Sequence, residues 1–316
     1  MTEPTFPPNP YIVNRPIRKT ENFFGRQALF DFIQFSLEEQ QQIILLEGHR
    51  RIGKSSILLQ IPQRIPLNNF VYVLFDLHDK ISQPLPIILE ELAKTIISSL
   101  ALTLVSPSAG ELNRDVDSTF ENFLAEVNHY LDGKNLVLLL DEFDVLHDSK
   151  QNSSHETFFD YLNVIIRKNL GLFIITVIGR NLDDLPQFLA LFKSSTHKTI
   201  ELLDRESAET LIRRPAQGTL TYEKEAVKTI LDYSAGHTLF TQAICHTIFS
   251  QARSQNNRTI TSQQVREAIP ETLENQKGAL TWFWDGLPIM ERVAFAAVAE
   301  VQEIKKKKFF RTSNGY

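Results

Sequence analysis

Eight consecutive residues carry the most chemistry in this chain. Gly48-His49-Arg50-Arg51-Ile52-Gly53-Lys54-Ser55 fits the spacing G-x-x-x-x-G-K-[ST]. A loop that encircles a phosphate chain must turn successive main-chain N–H groups inward. Gly48 and Gly53 supply the dihedral freedom and the close backbone approach this needs. A helix starting at Lys54 adds its first N–H groups and the positive end of its dipole. Lys54 is then placed for β- and γ-phosphates and the Ser55 hydroxyl for Mg²⁺, the whole cradle running from Gly48 to Ser56. Arg50 and Arg51 add positive field and read as mainly solvent-facing. The apolar run Ile43-Ile44-Leu45-Leu46 before the loop and Ile57-Leu58-Leu59 after it distinguish this from a chance Gly-Lys-Ser turn.

A second constellation ends another apolar run: Leu136-Val137-Leu138-Leu139-Leu140-Asp141-Glu142. A strand buried on both faces meets solvent at its end, and open α/β sheets bind ligands at the carboxyl ends of their strands. Asp141 is therefore expected to hold Mg²⁺ through water, and Glu142 to orient and polarise the attacking water. Without the glycine loop, Asp141 would read as a helix cap; Asp144 reads as a supporting or exposed acid. Arg180 follows the run Phe173–Ile178 and Gly179. It is open between sensing a γ-phosphate and being a surface arginine. His237, after Gly236, reads as a cap or packing histidine, as do His78 and His147. No His/Cys/Asp cluster has zinc spacing, and no Gly-x-Ser-x-Gly element occurs.

The elements that must position these residues are short apolar strands at Gln42–Glu47, Phe70–Asp76, Leu136–Asp141, Phe173–Ile178 and Thr199–Leu202. Helical patterns lie between them at Lys54–Ile61, Pro86–Leu104, Ser118–Leu131 and His155–Lys168. This alternation predicts an open α/β sheet. After Asp204 strands give way to helices at Glu206–Arg213, Tyr222–Ser234 and Thr238–Ala252. Another begins at Thr261, where Thr261 and Gln264 fit a capping box. The expectation is a small all-helical domain, followed by two short helices within Leu280–Glu300 and a tail containing Lys305–Lys308.

Composition narrows the class. The chain has 316 residues, 42% hydrophobic and 22% charged, with a net charge of −5, which argues against DNA or RNA as the main partner. One cysteine, Cys245, allows no internal disulfide. Met1–Pro10 is not a signal peptide, and no apolar stretch approaches a membrane span, so a cytoplasmic location is expected.

The chain resembles the STAND-type P-loop ATPases of the AAA+ neighbourhood. The resemblance rests on Asn9-Pro10-Tyr11-Ile12-Val13, Phe24-Gly25-Arg26, Gly48–Ser55, Leu140-Asp141-Glu142-Phe143-Asp144, Gly179-Arg180 and Gly236-His237-Thr238, spread over about residues 9–300. It implies a parallel sheet of order 5-1-4-3-2 with a helical lid beside ATP or ADP and Mg²⁺. It places Phe24-Gly25-Arg26 near the adenine, Arg180 as the γ-phosphate sensor, and Gly236–Thr238 on the nucleotide from the lid. It gives a layout of leader 1–22, α/β core 23–204, lid 205–276 and a winged-helix start in 277–316. The chain departs from the pattern at Thr238, where proline is usual, and at Gln27, where glutamate is usual. It also stops where the winged helix begins, so the Lys-rich end reads either as a truncated or out-of-frame terminus or as a solvated basic tail.

Three readings follow. The first is a slow ATP-hydrolysing switch in signalling or defence, with self-association or protein partners through its helical part. The second is a DNA-associated ATPase of the origin-recognition or transposition type. The third is a module that retains nucleotide without turnover.

Overall fold

The computed structural model describes residues 6–80, 83–141, 154–168, 171–179 and 195–313. Five strands form one sheet: β1 (Ile43–Glu47), β2 (Phe70–Asp76), β3 (Asn135–Asp141), β4 (Leu172–Ile178) and β5 (Thr196–Thr199). Every neighbouring pair is parallel, in the order β2-β3-β4-β1-β5, which read from the other edge is the expected 5-1-4-3-2. The three central strands are apolar on both faces because helices cover both. Ile44, Leu46, Val137, Leu139, Phe173, Ile175 and Val177 pack toward α1 (Gln27–Glu38) and α2 (Lys54–Arg64). Leu45, Leu136, Leu138, Leu140 and Ile174 pack on the opposite face, toward α3 (Leu85–Leu100), α4 (Ala109–Arg114), α5 (Val116–Tyr130) and α6 (Ser154–Lys168).

Local chemistry sets the boundaries. α3 starts with Pro86 in its first turn, where a missing N–H costs nothing, and buries Leu85, Ile88, Leu89, Leu92, Ala93 and Ile96 on one face. It stops short of the expected Leu104 because Ala101 turns left-handed, φ 52°, with its N–H on the Ile97 carbonyl. β5 lies three residues before the expected Thr199–Leu202. The polar segment Thr196–Thr199 makes the ladder with β1, and the apolar Ile200 that drew the expectation instead drops into the core just beyond it. α1, absent from the expected elements, buries Leu29, Phe30, Ile33 and Leu37 at helical spacing.

Beyond β5, α7 (Arg205–Arg213), α8 (Lys224–Ser234), α9 (Thr238–Ser254) and α10 (Ser262–Asn275) surround a separate core containing Ile212, Ile230, Ile244, Ile248, Phe249 and Val265. Asp204 caps α7, its carboxylate accepting from the Ser207 N–H at 2.8 Å. The Thr261–Gln264 capping box forms as expected. This part is not purely helical. β6 (Thr221–Tyr222) and β7 (Thr259–Ile260) pair in parallel just before α8 and α10, so α8 begins at Lys224 rather than Tyr222. α11 (Lys277–Asp285) is short as expected, but α12 (Ile289–Ser313) is a single helix of 25 residues. It runs through Lys305–Lys308 because lysine is a good helix former. No helix among the described residues is long and apolar enough to cross a membrane.

Candidate nucleotide site

The glycine loop forms between β1 and α2, but its glycines divide the work differently from the expectation. The left-handed positions are Arg51, φ 60°, and Gly53, φ 106°. Gly48 is needed for space, not dihedral freedom: a Cβ there would lie 2.9 Å from Ile200 Cβ and 3.0 Å from Ile52 Cγ2. The Gly48 N–H donates to the Ile178 carbonyl at 3.1 Å, and the Ile52 N–H closes a turn onto the His49 carbonyl at 3.3 Å. The Ile52 side chain is buried in the α1/α2-side core, which pins the loop. The Lys54 ammonium folds back over it, donating to the Gly48 and His49 carbonyls at 3.3 and 3.4 Å. That places the charge across the mouth where a phosphate would sit.

The loop opens into a cavity of about 430 Å³, within the range of small-molecule sites. Arg50–Ser56 line its cationic end, while Phe23, Phe24, Leu203, Leu211 and Leu239 give it an apolar end. Gly25, φ 72°, lets this wall touch α7, since a Cβ would lie 2.5 Å from Ser207 Oγ. The Arg26 guanidinium donates to the Ile52 carbonyl at 3.0 Å and to the Glu201 carbonyl. Burial pushes its pKa down to about 10, against the opposing pull of Asp204 and Glu201, so it remains a cation at neutral pH. Thr238 Oγ1, at the start of α9, donates to the same Ile52 carbonyl at 2.9 Å. Thr238 thus fastens the start of α9 to the loop.

Gly236, φ 74°, packs so tightly that a Cβ would lie 2.7 Å from the Leu203 carbonyl oxygen. His237 is buried, and the cavity wall is made by Thr238, Leu239 and Gln242 beside it. Its ring lies 4.5 Å from that of Phe240 and 6.4 Å from that of Phe283 on α11, and neither ring nitrogen makes a well-formed hydrogen bond, the Arg50 main chain being a weak partner. Burial first, then repulsion from His49 and Arg26, push its pKa down to about 4, only partly offset by the Arg50 main chain. Arg51 is exposed and donates to Asn14 Oδ1 at 2.9 Å, whereas Arg50 is half-buried. A Cβ on Gly286 would sit 3.2 Å from the Arg50 side chain, so the junction between α11 and α12 rests on the loop.

Asp141 ends β3 and is largely buried. Strand alternation puts its side chain with Val137 and Leu139, on the face that carries α2. In register beside it, at the end of β2, stands Asp76, a second carboxylate that was not among the expected site residues. Asp76 Oδ1 accepts from the His78 N–H at 2.9 Å, and His78 lines the cavity. A hydroxyl at the first turn of α2 and carboxylates on the same sheet face suit Mg²⁺, which takes few protein ligands and keeps phosphate oxygens and water. Among the described residues no group of three or more His, Cys, Asp and Glu gathers for another metal. Glu142, Asp144, His147 and Arg180 lie outside the described residues.

Strand, glycine loop and capping lysine on a 5-1-4-3-2 parallel sheet define a P-loop nucleoside-triphosphatase fold. The family model of novel STAND NTPase 1 matches residues 17–276, and the chain belongs to that family. No curated protein matches it. Among solved structures it is similar to the Walker-type ATPase of Pyrococcus abyssi, with 15% identity, a TM-score of 0.64, and 93% of this chain and 79% of that one covered. It is also similar to the Aeropyrum pernix ORC1 protein in complex with DNA, with 12% identity, a TM-score of 0.57, and again 93% and 79% covered. The Aeropyrum pernix ORC2 protein in its ADPNP–ADP complexes is similar at 12% identity and a TM-score of 0.57, over 85% of this chain and 70% of that one. At these identities the likeness is one of fold.

Proposed function

We propose that this chain binds ATP with Mg²⁺ between its α/β core, 23–204, and its helical lid, 205–276, hydrolyses it slowly, and uses the difference as a conformational switch. One observation carries this reading: the lid's Thr238 and the core's Arg26 hold the same carbonyl of the phosphate loop. A change in that loop on phosphate loss would be felt by the lid without an intermediary. A ligand shifts such an equilibrium only by its differential affinity for the two states, and this linkage supplies a route for one.

Lys54 would neutralise the β- and γ-phosphates, and the apolar wall of Phe23, Phe24 and Leu239 would take the base. Ser55 and Asp141 would hold Mg²⁺, which when bound neutralises developing charge on the phosphates. Glu142 would accept the proton of the attacking water, and Arg180 would approach the γ-phosphate. Self-association or a protein partner would read the lid position.

Nucleotide titration and turnover on two variants test the assignment. Lys54→Ala is expected to abolish binding of fluorescent ATP, and Glu142→Gln to keep binding while stopping hydrolysis. Unchanged turnover in both would refute it. A DNA-dependent role predicts retardation of duplex DNA that falls steeply with salt.

A further inference from the structure

Residues Phe6–Thr20 cross from one half of the molecule to the other, and each end is clipped by a side-chain amide. At the lid end, Asn9 Nδ2 donates to the His246 carbonyl at 2.9 Å and to Ser250 Oγ at 3.1 Å, while its Oδ1 accepts from the Tyr11 N–H at 3.1 Å. Tyr11 is buried in the lid core, where its hydroxyl donates to the Ile212 carbonyl and meets the Tyr222 hydroxyl at 2.9 Å. Phe6 packs edge-on against Phe249, 5.8 Å between centroids, under the guanidinium of Arg258. At the core end the clip comes from α2. Gln60, fully buried, donates from Nε2 to the Ile17 and Arg18 carbonyls at 2.9 and 3.1 Å, and its Oε1 accepts from Thr20 Oγ1 at 2.8 Å. The Ile17 N–H donates to Ser56 Oγ, one residue beyond Ser55, at 3.0 Å.

Between these anchors, Ile12 and Asn14–Ile17 line the cavity. The Ile12 N–H donates to Gln242 Oε1 at 3.2 Å, and Asn14 accepts from Arg51 of the phosphate loop. Pro7, Pro8, Pro10 and Pro16 fix φ and bias their predecessors to extended conformations, so ordering this stretch costs less entropy than ordering an ordinary chain.

We propose that Phe6–Thr20 is a strap that forms one wall of the nucleotide cavity and ties the lid to the phosphate-loop helix, so that nucleotide leaves when either end of the strap lets go. The proposal rests on the nucleotide reading above and adds to it a wall, which includes Arg15, and a release step. The strap is a single connection in series. Freeing one end frees the wall, and freeing the second adds little.

The test is a double-mutant cycle on the full chain, with release of mant-ADP followed by stopped-flow chase. The lid-end variant combines Asn9→Ala with Tyr11→Phe and counts as one arm of the cycle, and Gln60→Leu cuts the core end. Each removes at least three hydrogen bonds, so each is expected to speed release by about 5–10-fold. The double variant is expected to exceed the faster single by no more than about twofold, whereas independent sites multiply. Release unchanged in either single variant, or multiplying in the double, overturns the strap. If Gln60→Leu fails to fold, Thr20→Val cuts the same end with an expected increase of about threefold. Failure of wild type to bind mant-ADP with Mg²⁺ would instead sink the nucleotide reading. The strap is then judged without ligand by hydrogen exchange over residues 12–17. Exchange should rise in each single variant and no further in the double, and exchange equal to wild type overturns it.

Discussion

The Ile52 carbonyl accepts from two donors on different parts of the chain, and the consequence of removing them is calculable. Ile52 is 1% exposed, so water cannot replace either donor without local opening. Thr238→Val keeps shape and β-branching and deletes one hydrogen bond at 2.9 Å, leaving the carbonyl on Arg26. The loss should be about 1 kcal/mol, the net worth of one neutral bond. Arg26→Met deletes a charge-assisted donor that serves both Ile52 and Glu201, and should cost about 2–3 kcal/mol. It leaves the left-handed backbone at position 26, φ 69°, no more strained than before. The double variant strands a buried acceptor, which adds about 1–3 kcal/mol of unrecovered desolvation. The sum of the single effects should therefore fall short of the double by at least about 1 kcal/mol. Urea unfolding at fixed m-value measures this, and nucleotide titration should show about a further tenfold loss for each 1.4 kcal/mol that falls on the loop. Additivity within about 0.5 kcal/mol would mean the two donors do not share one acceptor, and the proposed route from lid to loop would lose its physical basis.

Two further perturbations probe the same junction. Gly236→Ala meets both a left-handed backbone and a main-chain oxygen at 2.7 Å that cannot rotate away, so unfolding should show a loss of about 2 kcal/mol or more. Gly218→Ala has the same backbone sign, φ 79°, but open space, and should lose only about 1 kcal/mol; equal losses would refute the steric account. His237 predicts an acid-sensitive lid. Its folded pKa of about 4 lies below the ordinary 6.5, so the unfolded chain binds the extra proton first, and stability falls as pH drops from about 6.5 to 4. Between pH 7.5 and 5.0 the loss from this group is about 2 kcal/mol. His246, also lowered by burial, adds loss in the same direction. Comparing wild type with His237→Phe by urea unfolding at the two pH values isolates the first effect, and an identical pH dependence in both would refute it.

What is legible in the sequence follows from where one kind of residue decides the structure. Strands buried on both faces, such as Leu136–Leu140, read directly because nothing polar survives there, and the glycine loop reads because its conformation restricts residue types. β5 misleads because an edge ladder is made by backbone: Thr196–Thr199 pairs with no apolar signal, and Ile200 advertises a strand just past its end. The same holds for β6 and β7, two residues each. Asp76 is invisible singly, since only register sets it beside Asp141. Phe6–Thr20 carries little periodicity because its fixing bonds come from partners about 40 to 240 positions away. α12 continues through four lysines that look like a tail because apolar periodicity is weak along a helix whose Met290, Val293, Val298 and Val301 are all exposed.

The phosphate loop is gripped from behind. Ile52 buries its side chain in the core and gives its carbonyl to Arg26 and Thr238, Arg51 holds Asn14 of the strap, and Ser56 receives the strap's Ile17 N–H. None of these bonds uses a group that a phosphate chain needs. Lys54 reaches the loop's first two carbonyls at 3.3 and 3.4 Å, long contacts that are readily exchanged for phosphate oxygens. A loop whose rear contacts belong to the lid and the strap cannot change shape with its ligand without pulling on both. The proposed switch needs such a linkage, and here it runs through the Thr238 hydroxyl, a side-chain donor that a proline at the same place would lack.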